Sequence, residues 1–414
     1  MLDINFIRNN QALVEHSAKE KGYKIDLSNV FSLDDERKSI SHQIDQLRTE
    51  RNTLANASKN QKPTAANIER GKQLKSQLAE LEPKLTEIEE KLNLALKSIP
   101  NIILEDVPLG GEEDSVEILT WGEKTTKGQD HLDYATSRDW IDFERGAKVA
   151  GAKFYYMKNE LVLLEQALIQ YALNKLYKKG FTPMSTPDVV SARVLEGTGF
   201  NPRTSNQSDE YFIEGEDLAL IATAEIPLTG FHMDEIIDEK DLPIFYAGIS
   251  PCFRKEAGAA GKHTRGLFRV HQFNKVEMYV FCTPETSKEN HEKLLNIEQE
   301  IWQELNIPYH IINIAAGDLG SPAAKKYDIE YWSPVDQTYR EITSCSNCTD
   351  FQAKSLNIRV RKTSGDIVTL HTLNGTAVSL ARALVAIIEN AEIKNGKMVI
   401  PVALRPYLNN QELL

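Results

Sequence analysis

The first hundred residues and the remainder of the chain follow different hydrophobic patterns. Between Leu33 and Ile99 apolar side chains recur at steps of three and four. Ile40, Ile44, Leu47 and Leu54 form one stretch, and Leu74, Leu78, Leu81, Leu85, Ile88, Leu92, Ala95 and Ile99 form a second. That spacing lays an apolar stripe along each of two helices, in the manner of a heptad seam. The intervening Ser58–Asn67, SKNQKPTAAN, is polar and holds Pro63, which predicts a turn. Two long helices joined by a short turn fold back as an antiparallel hairpin. Pro83 falls inside the second helix, where a missing N–H and a ring clash predict a kink.

From about Ile102 the pattern changes. Pro100, Pro108 and the Gly110-Gly111 pair predict a linker. Beyond it, Leu161–Lys178 reads as a helix with Leu161, Leu164, Leu168, Tyr171 and Ala172 on one face. Ile244–Tyr246, Gly266–Val270 and Val276–Phe281 read as strands, being rich in β-branched and aromatic residues. Ser287–Leu305 and Ala377–Asn390 read as helices. Strands in runs with helices set apart predict an α+β fold with a mostly antiparallel sheet. No internal repeat is visible.

Composition narrows the function classes. The formal net charge of −12 argues against general nucleic-acid affinity, which rests on neutralising phosphates, although it leaves room for a local basic face. No apolar run approaches the ~20 residues of a membrane span, and the opening MLDINFIRNN lacks the pattern of a signal peptide. The four cysteines, Cys252, Cys282, Cys345 and Cys348, are too few for a disulfide scaffold in a chain this long. A reducing, cytoplasmic setting with no membrane partner is the expectation.

The chemistry concentrates in Pro251–Val280. An apolar strand runs into Phe253-Arg254-Lys255-Glu256, and a basic loop follows with Gly258, Gly261, Lys262, Arg265 and Gly266. A second strand then returns from Phe268. On it Arg269, His271, Phe273, Lys275 and Glu277 alternate, which predicts that all five share one face of the sheet. Burying such a row unpaired is costly, so a polar ligand groove is a better reading than core, with a solvated face of cross-strand ion pairs as the alternative.

At these residues the chain resembles the bacterial type of the seryl-tRNA synthetase family, one of the class II aminoacyl-tRNA synthetases. FRKE, a loop and FRVHQFNKVE resemble its motif 2. Thr223-Ala224-Glu225 resembles its TxE element, and Glu341-Ile342-Thr343-Ser344 followed by CSNCTDFQ its metal and ATP segment. NGTAVSLAR, from Asn374 to Arg382, resembles motif 3, and Pro187 matches the motif 1 proline of the dimer interface. The resemblance spans nearly the whole chain. It implies an N-terminal tRNA-binding domain over residues 1–103 with a long coiled-coil arm. A class II catalytic domain over 104–414, built on an antiparallel sheet with surrounding helices, would follow.

The resemblance also implies the roles. The enzyme would activate L-serine with ATP and load it onto tRNA(Ser), with tRNA(Sec) as a second acceptor, acting as a homodimer. Arg254 and Arg382 would be catalytic: Arg254 on the α-phosphate and the serine carboxylate, where a planar fork suits the task, and Arg382 on the γ-phosphate. Arg269 would be a further phosphate contact, Phe273 a face for adenine, and Glu256 an acceptor for its amino group. Lys255, Val270, Ile342 and Thr343 complete the ATP set. Glu341 and Ser344 are hard oxygen ligands for Mg²⁺. Serine would be held by Thr223, Ala224, Glu225, Arg254, Glu277, Asn374 and Thr376, with Glu277 and Thr376 reading the hydroxyl.

Several features admit plainer readings. The hairpin's Arg48, Arg51, Lys59, Lys62, Arg70, Lys72 and Lys75 lie among many acids, as on any solvated coiled coil, though they gather toward the turn. Cys345-Ser346-Asn347-Cys348 is half of a zinc site at most. The bacterial pattern carries such cysteines without metal, so no zinc is expected. His263 and His271 read as loop and sheet-face residues rather than ligands. Two departures stand out: Ala381 replaces a glycine common before the motif 3 arginine, and Pro83 is unusual in the arm. A relative that loads a carrier protein lacks the long arm, and a non-catalytic paralogue would have lost Arg254, Glu277, Glu341 or Arg382. All four are present.

Overall fold

The computed structural model describes residues 1–57, 64–200, 209–256 and 265–414. It divides into two compact units: residues 2–19 with 23–100, and residues 101–414 together with Met1 and residues 20–22.

The first unit is helical. Helices α1 (Ile4–Asn9) and α2 (Gln11–Glu20) precede the long α3 (Leu27–Ala57) and α4 (Ala65–Lys97), which pack along each other. Every residue of the anticipated seam is buried or half-buried, with Ile44, Leu74, Leu78, Ile88 and Leu92 fully inside. Of the predicted turn, Ser58–Pro63 lies outside the described residues, as do Lys59 and Lys62. Its last residues are helical instead, because Thr64 caps α4 by accepting the Asn67 N–H at 3.2 Å. Helix α4 also continues through Pro83, which sits on the exposed side. The carbonyl of Ala79 that loses its partner faces solvent there, so water can satisfy it. Asp34 is fully buried and meets Arg8 at 2.9 Å, Arg37 at 2.9 Å and Lys38 at 2.7 Å. Burial pushes its carboxyl up, but the three cations outweigh this and hold it at about 2.

The second unit is built on an eight-stranded sheet. Its strands are β1 (Val116–Trp121), β2 (Thr182–Ser185), β3 (Ile244–Phe253), β4 (Gln272–Cys282), β5 (Tyr309–Asn313), β6 (Lys325–Ser333), β7 (Thr338–Asn347) and β8 (His371–Ser379). They lie in the order β1-β5-β6-β7-β8-β4-β3-β2, antiparallel except for the β2–β3 pair. The centre of the sheet is covered on both faces. Along β4, Val276, Met278 and Val280 join a cluster with Leu164 and Leu168 of helix α5 (Glu160–Lys178) and Ile301 of helix α7 (Ser287–Glu304). Tyr279 and Phe281 point the other way, toward Ala224 and Leu228 of the short helix α6 (Glu225–Gly230) and the residue before it. The predicted buried face of α5 is found as anticipated.

Two anticipated elements differ. Gly266–Val270 is not a strand. Residues Gly266–Phe268 form a single 3₁₀ turn, with Gly266 at φ +61° and so close to His131 that a Cβ would meet its ring nitrogen at 2.2 Å. The segment Ala377–Asn390 is not helical throughout. After the short helix α8 (Phe351–Ser355), residues through Ser379 extend β8, and only Leu380–Asn390 forms helix α9. The β-branched Thr376 and Val378 favour the strand, paired against β4.

Candidate active site

A cleft with about 110 Å³ of room opens where β3 ends, β4 begins and β7 and β8 pass beneath. The β3–β4 side contributes Arg254, Glu256, Phe268, Arg269, Val270, Phe273 and Lys275. Strand β7 contributes Glu341, Ile342, Thr343 and Ser344, and the β8–α9 junction contributes Thr376, Ser379, Ala381 and Arg382. The ladder is irregular at three points, and two of them fall here. Ile342 is an extra residue between Thr343 and Glu341, which oppose Ile329 and Glu330. Ala377 is an extra residue between Thr376 and Val378, which oppose Glu277 and Val276. Bulges of this kind re-aim neighbouring side chains, here into the cleft.

The charges in the cleft are mostly paired with one another. Arg269 Nε donates to Glu256. Arg382 meets the Glu341 carboxylate at 3.1 Å and donates to its backbone carbonyl at 3.2 Å. Lys275 and Glu277 form a buried ion pair, and the Lys275 ammonium reaches the Thr376 hydroxyl at 3.5 Å. Among the described residues Arg254 forms no ion pair. Its Nε donates to the Ala222 carbonyl at 3.3 Å, and its guanidinium lies 5.3 Å from the centre of the Phe273 ring. A cation positioned by a carbonyl and an aromatic face is open to an incoming anion.

Beside the cleft lies a set of buried acids. Glu277 is in register with Thr376 on β8 and Gly248 on β3. Burial pushes its carboxyl up, against the pull of Lys275 and Arg254. Glu225 heads α6, where burial and then the Glu277 charge push its carboxyl up to about 7. Its Oε1 accepts hydrogen bonds from Gln352 at 2.7 Å and Asn374 at 3.0 Å. Thr223 Oγ1 accepts the Glu225 N–H at 3.3 Å. Burial would raise Glu341 as well, but Arg382 and Lys326 draw it below the usual carboxylate range.

Most residues anticipated from the sequence converge here. Arg254, Glu256, Arg269, Val270, Phe273, Glu341–Ser344, Thr376 and Arg382 line the cleft itself. Thr223, Ala224, Glu225, Glu277 and Asn374 are buried next to it, not in its wall. Lys255 turns away, its ammonium over the rings of Tyr211 and Phe212 at 5.6 and 5.9 Å. The alternating row holds for Phe273, Lys275 and Glu277, but β4 starts only at Gln272. Arg269 and His271 therefore precede the strand, and His271 instead places Nδ1 2.9 Å from the Arg254 carbonyl. Gly258, Gly261, Lys262 and His263 lie outside the described residues. All four cysteines are buried, and among the described residues no three His, Cys, Asp or Glu side chains converge as a metal cluster. Lys275, Ser379 and Gln352 received no role from the sequence. Lys275 could have been found from its parity with Glu277, whereas Gln352 gave only its place in the CSNCTDFQ segment.

An antiparallel sheet carrying an arginine-lined cleft of this make-up defines a class II aminoacyl-tRNA synthetase, and residues 210–391 match the class II tRNA synthetase core domain (G, H, P, S and T). Residues 1–103 match the seryl-tRNA synthetase N-terminal domain. The serine–tRNA ligase of Dictyoglomus turgidum is 44% identical, with 100% of this chain and 99% of that protein covered. That of Treponema denticola is 43% identical over 98% of each. Among solved structures, seryl-tRNA synthetase from Pyrococcus horikoshii complexed with ATP matches with a TM-score of 0.88 at 41% identity, covering 100% of this chain and 99% of that one. The cytoplasmic serine–tRNA ligase of Naegleria fowleri in complex with AMP matches with a TM-score of 0.85 at 30% identity, covering 100% and 98%. The chain belongs to the seryl-tRNA synthetase family.

Proposed function

We propose that this serine–tRNA ligase works through the cleft as follows. A carboxylate oxygen of L-serine attacks the α-phosphorus of ATP, the bond to pyrophosphate breaks, and seryl-adenylate forms. A ribose hydroxyl at the 3′ end of tRNA(Ser) then attacks the seryl carbonyl and AMP leaves; tRNA(Sec) is a second acceptor. No side chain needs to act as a nucleophile, so the protein contributes positioning and charge neutralisation. Arg254 bridges the serine carboxylate and the α-phosphate. Arg382 and Arg269 take the outer phosphates, leaving Glu341 and Glu256. Phe273 stacks on adenine, Glu256 accepts from its amino group, and the 342–343 backbone and Val270 shape the adenine wall, with Lys255 at the edge.

Mg²⁺ fits the donors. Glu341 is a carboxylate held ionised, Ser344 a hydroxyl on the same cleft wall, and Asp328, in register with Ser344, has a buried oxygen without a hydrogen-bond partner. The ion would come with ATP, held by Glu341 and Ser344, and would neutralise phosphate charge. Glu225 and Glu277, with Thr223, Ala224 and Asn374, receive the serine ammonium, and Glu277 with Thr376 reads the hydroxyl.

The observation that carries this reading is Arg254, the one cation among the described residues left open in a cleft of mutually paired charges. It is tested by ATP–pyrophosphate exchange, which should depend on serine and be absent with alanine or glycine, because a site built to bond a hydroxyl rejects the analogue without one. Exchange supported equally by alanine overturns it.

The same reading makes residues 1–103 a tRNA-binding domain and 104–414 the catalytic domain of a cytoplasmic homodimer. The exposed apolar Leu163 and Tyr177 lie on α5, which packs on the edge strand β2, and Pro187 follows that strand by two residues; this supports pairing through that edge. No described helix is long and apolar enough to cross a membrane.

A further inference from the structure

Gln352 lies on the five-residue helix Phe351–Ser355 and is fully buried. All the hydrogen-bonding capacity of its carboxamide is used. Nε2 donates to Glu225 Oε1 at 2.7 Å and to the Thr198 carbonyl at 3.0 Å. Oε1 accepts from the Tyr279 hydroxyl at 2.9 Å and from Thr372 Oγ1 at 2.7 Å. The amide cannot be flipped, because a flip would set its NH₂ against two hydroxyls and its oxygen against a carboxylate and a carbonyl. The hydroxyls follow the same direction. Tyr279 gives its proton to Gln352, and its oxygen lies 2.7 Å from Thr229 Oγ1, whose single proton is shared with the Glu225 backbone carbonyl at 2.7 Å. A one-way relay, from the Tyr279 and Thr372 hydroxyls to Gln352, therefore ends on the Glu225 carboxylate, and each donor in it strengthens the next. Asn374 donates to the same oxygen. With both amides on Oε1, Oε2 has no hydrogen bond among the described residues and is left for a cationic ligand group.

We infer that Gln352 is a positioning residue for amino-acid recognition, its carboxamide fixing the direction of Glu225 and favouring its negative charge. The inference rests on the reading of Glu225 as a partner of the serine ammonium. Glu225 needs such support because its surroundings oppose ionisation. Glu277 repels it from β4, and Tyr279 and Cys348 stand close by, while Lys275 and Arg254 are the cations that face it. Below pH about 7 its carboxyl gains a proton and loses its pull on an ammonium. Losing one N–H donor disfavours the charged form further, so that point moves to higher pH.

The test is Gln352→Met in the full-length enzyme, assayed by ATP–pyrophosphate exchange across pH. The expected result is a serine KM raised about tenfold at neutral pH, an ATP KM unchanged within about twofold, and an acidic limb of kcat/KM for serine displaced upward by about one pH unit. Gln352→Glu keeps the shape, sets a second carboxyl against Glu225, and should displace the limb further. Thr372→Val, which removes a donor to Gln352 and leaves Gln352 itself in place, should move it the same way by less. An unmoved acidic limb, or serine and ATP KM rising together, overturns the inference. Should Gln352→Met not fold, the displacement in Gln352→Glu decides. Glu225→Gln separates the two layers: if it leaves serine KM unchanged, the reading of Glu225 itself fails, whereas a raised serine KM there with no effect at Gln352 sinks only the positioning role.

Discussion

The hairpin and the sheet body treat a buried carboxylate in opposite ways. In the hairpin, Asp34 is surrounded by Arg8, Arg37 and Lys38, which hold it far down the acidity scale. In the body, Glu225 and Glu277 are buried side by side and both are pushed up, with amides and one shared lysine as their main support. The first arrangement is complete within the protein and serves to hold helices together. The second is short of positive charge, and on the proposed reading the serine ammonium supplies what is missing. A buried acid that is fully paired marks structure, and one that is raised and only partly supported marks a site.

The sharpest way to break this contrast is to remove the open cation of the body. Arg254→Ala should lower serine-dependent ATP–pyrophosphate exchange by about a thousandfold; near-normal exchange would show that the cleft's charge pairs, not Arg254, meet the phosphate. Next comes the hairpin as a whole. Deleting residues 35–95 with a short bridging linker should leave exchange largely intact and cut tRNA charging by about a hundredfold or more, with the residual charging weakened further by salt. Charging that survives would reduce the hairpin to a spacer, and loss of both reactions in a folded variant would give it a part in activation.

Two smaller effects sharpen the comparison of acids. Glu277→Gln should raise serine KM by about ten- to a hundredfold with little change for ATP, because it removes charge beside the ammonium; a rise for ATP alone would move Glu277 to the nucleotide. Asp34→Asn should leave both reactions unchanged and destabilise the hairpin by about 1–2 kcal/mol, discounted for the solvent-exposed partners. Asp34 has a lowered folded pKa, so its contribution is present above pH about 4 and disappears as pH falls toward about 2. Amide exchange over residues 2–45 of the whole protein reads this, and protection equal to the parent's would remove Asp34 from the account.

The two regions were also unequally legible in the sequence. The hairpin is a one-dimensional object whose seam depends only on spacing, so Ile44, Leu74 and Leu92 could be placed without knowing anything else. Even Pro83 does not end the helix, because its lost hydrogen bond falls on the solvent side. In the body, parity placed Phe273, Lys275 and Glu277 correctly but could not tell where β4 begins. That is decided by Gly266 pressed against His131, a contact across 135 positions of chain. The extra residues Ile342 and Ala377 are invisible to any period, since a bulge exists only against a partner strand. Gln352 was unreadable for the same reason: its meaning comes from meeting Glu225, Tyr279 and Thr372.

Strand β8 passes into α9 without a loop, so Thr376 and Arg382 ride on one uninterrupted stretch of backbone. Such a stretch tolerates exchange of side chains far better than a change in its length. One residue added before Ser379 would send each strand side chain to the opposite face, and one added within the first helical turn would swing Arg382 about 100° around the axis. The length of this segment was already adjusted once, by the single extra residue at Ala377. A library of insertions and deletions across the gene should therefore show a gap between codons 374 and 382, where substitutions alone survive, and any re-engineering of amino-acid choice has to proceed within that fixed frame.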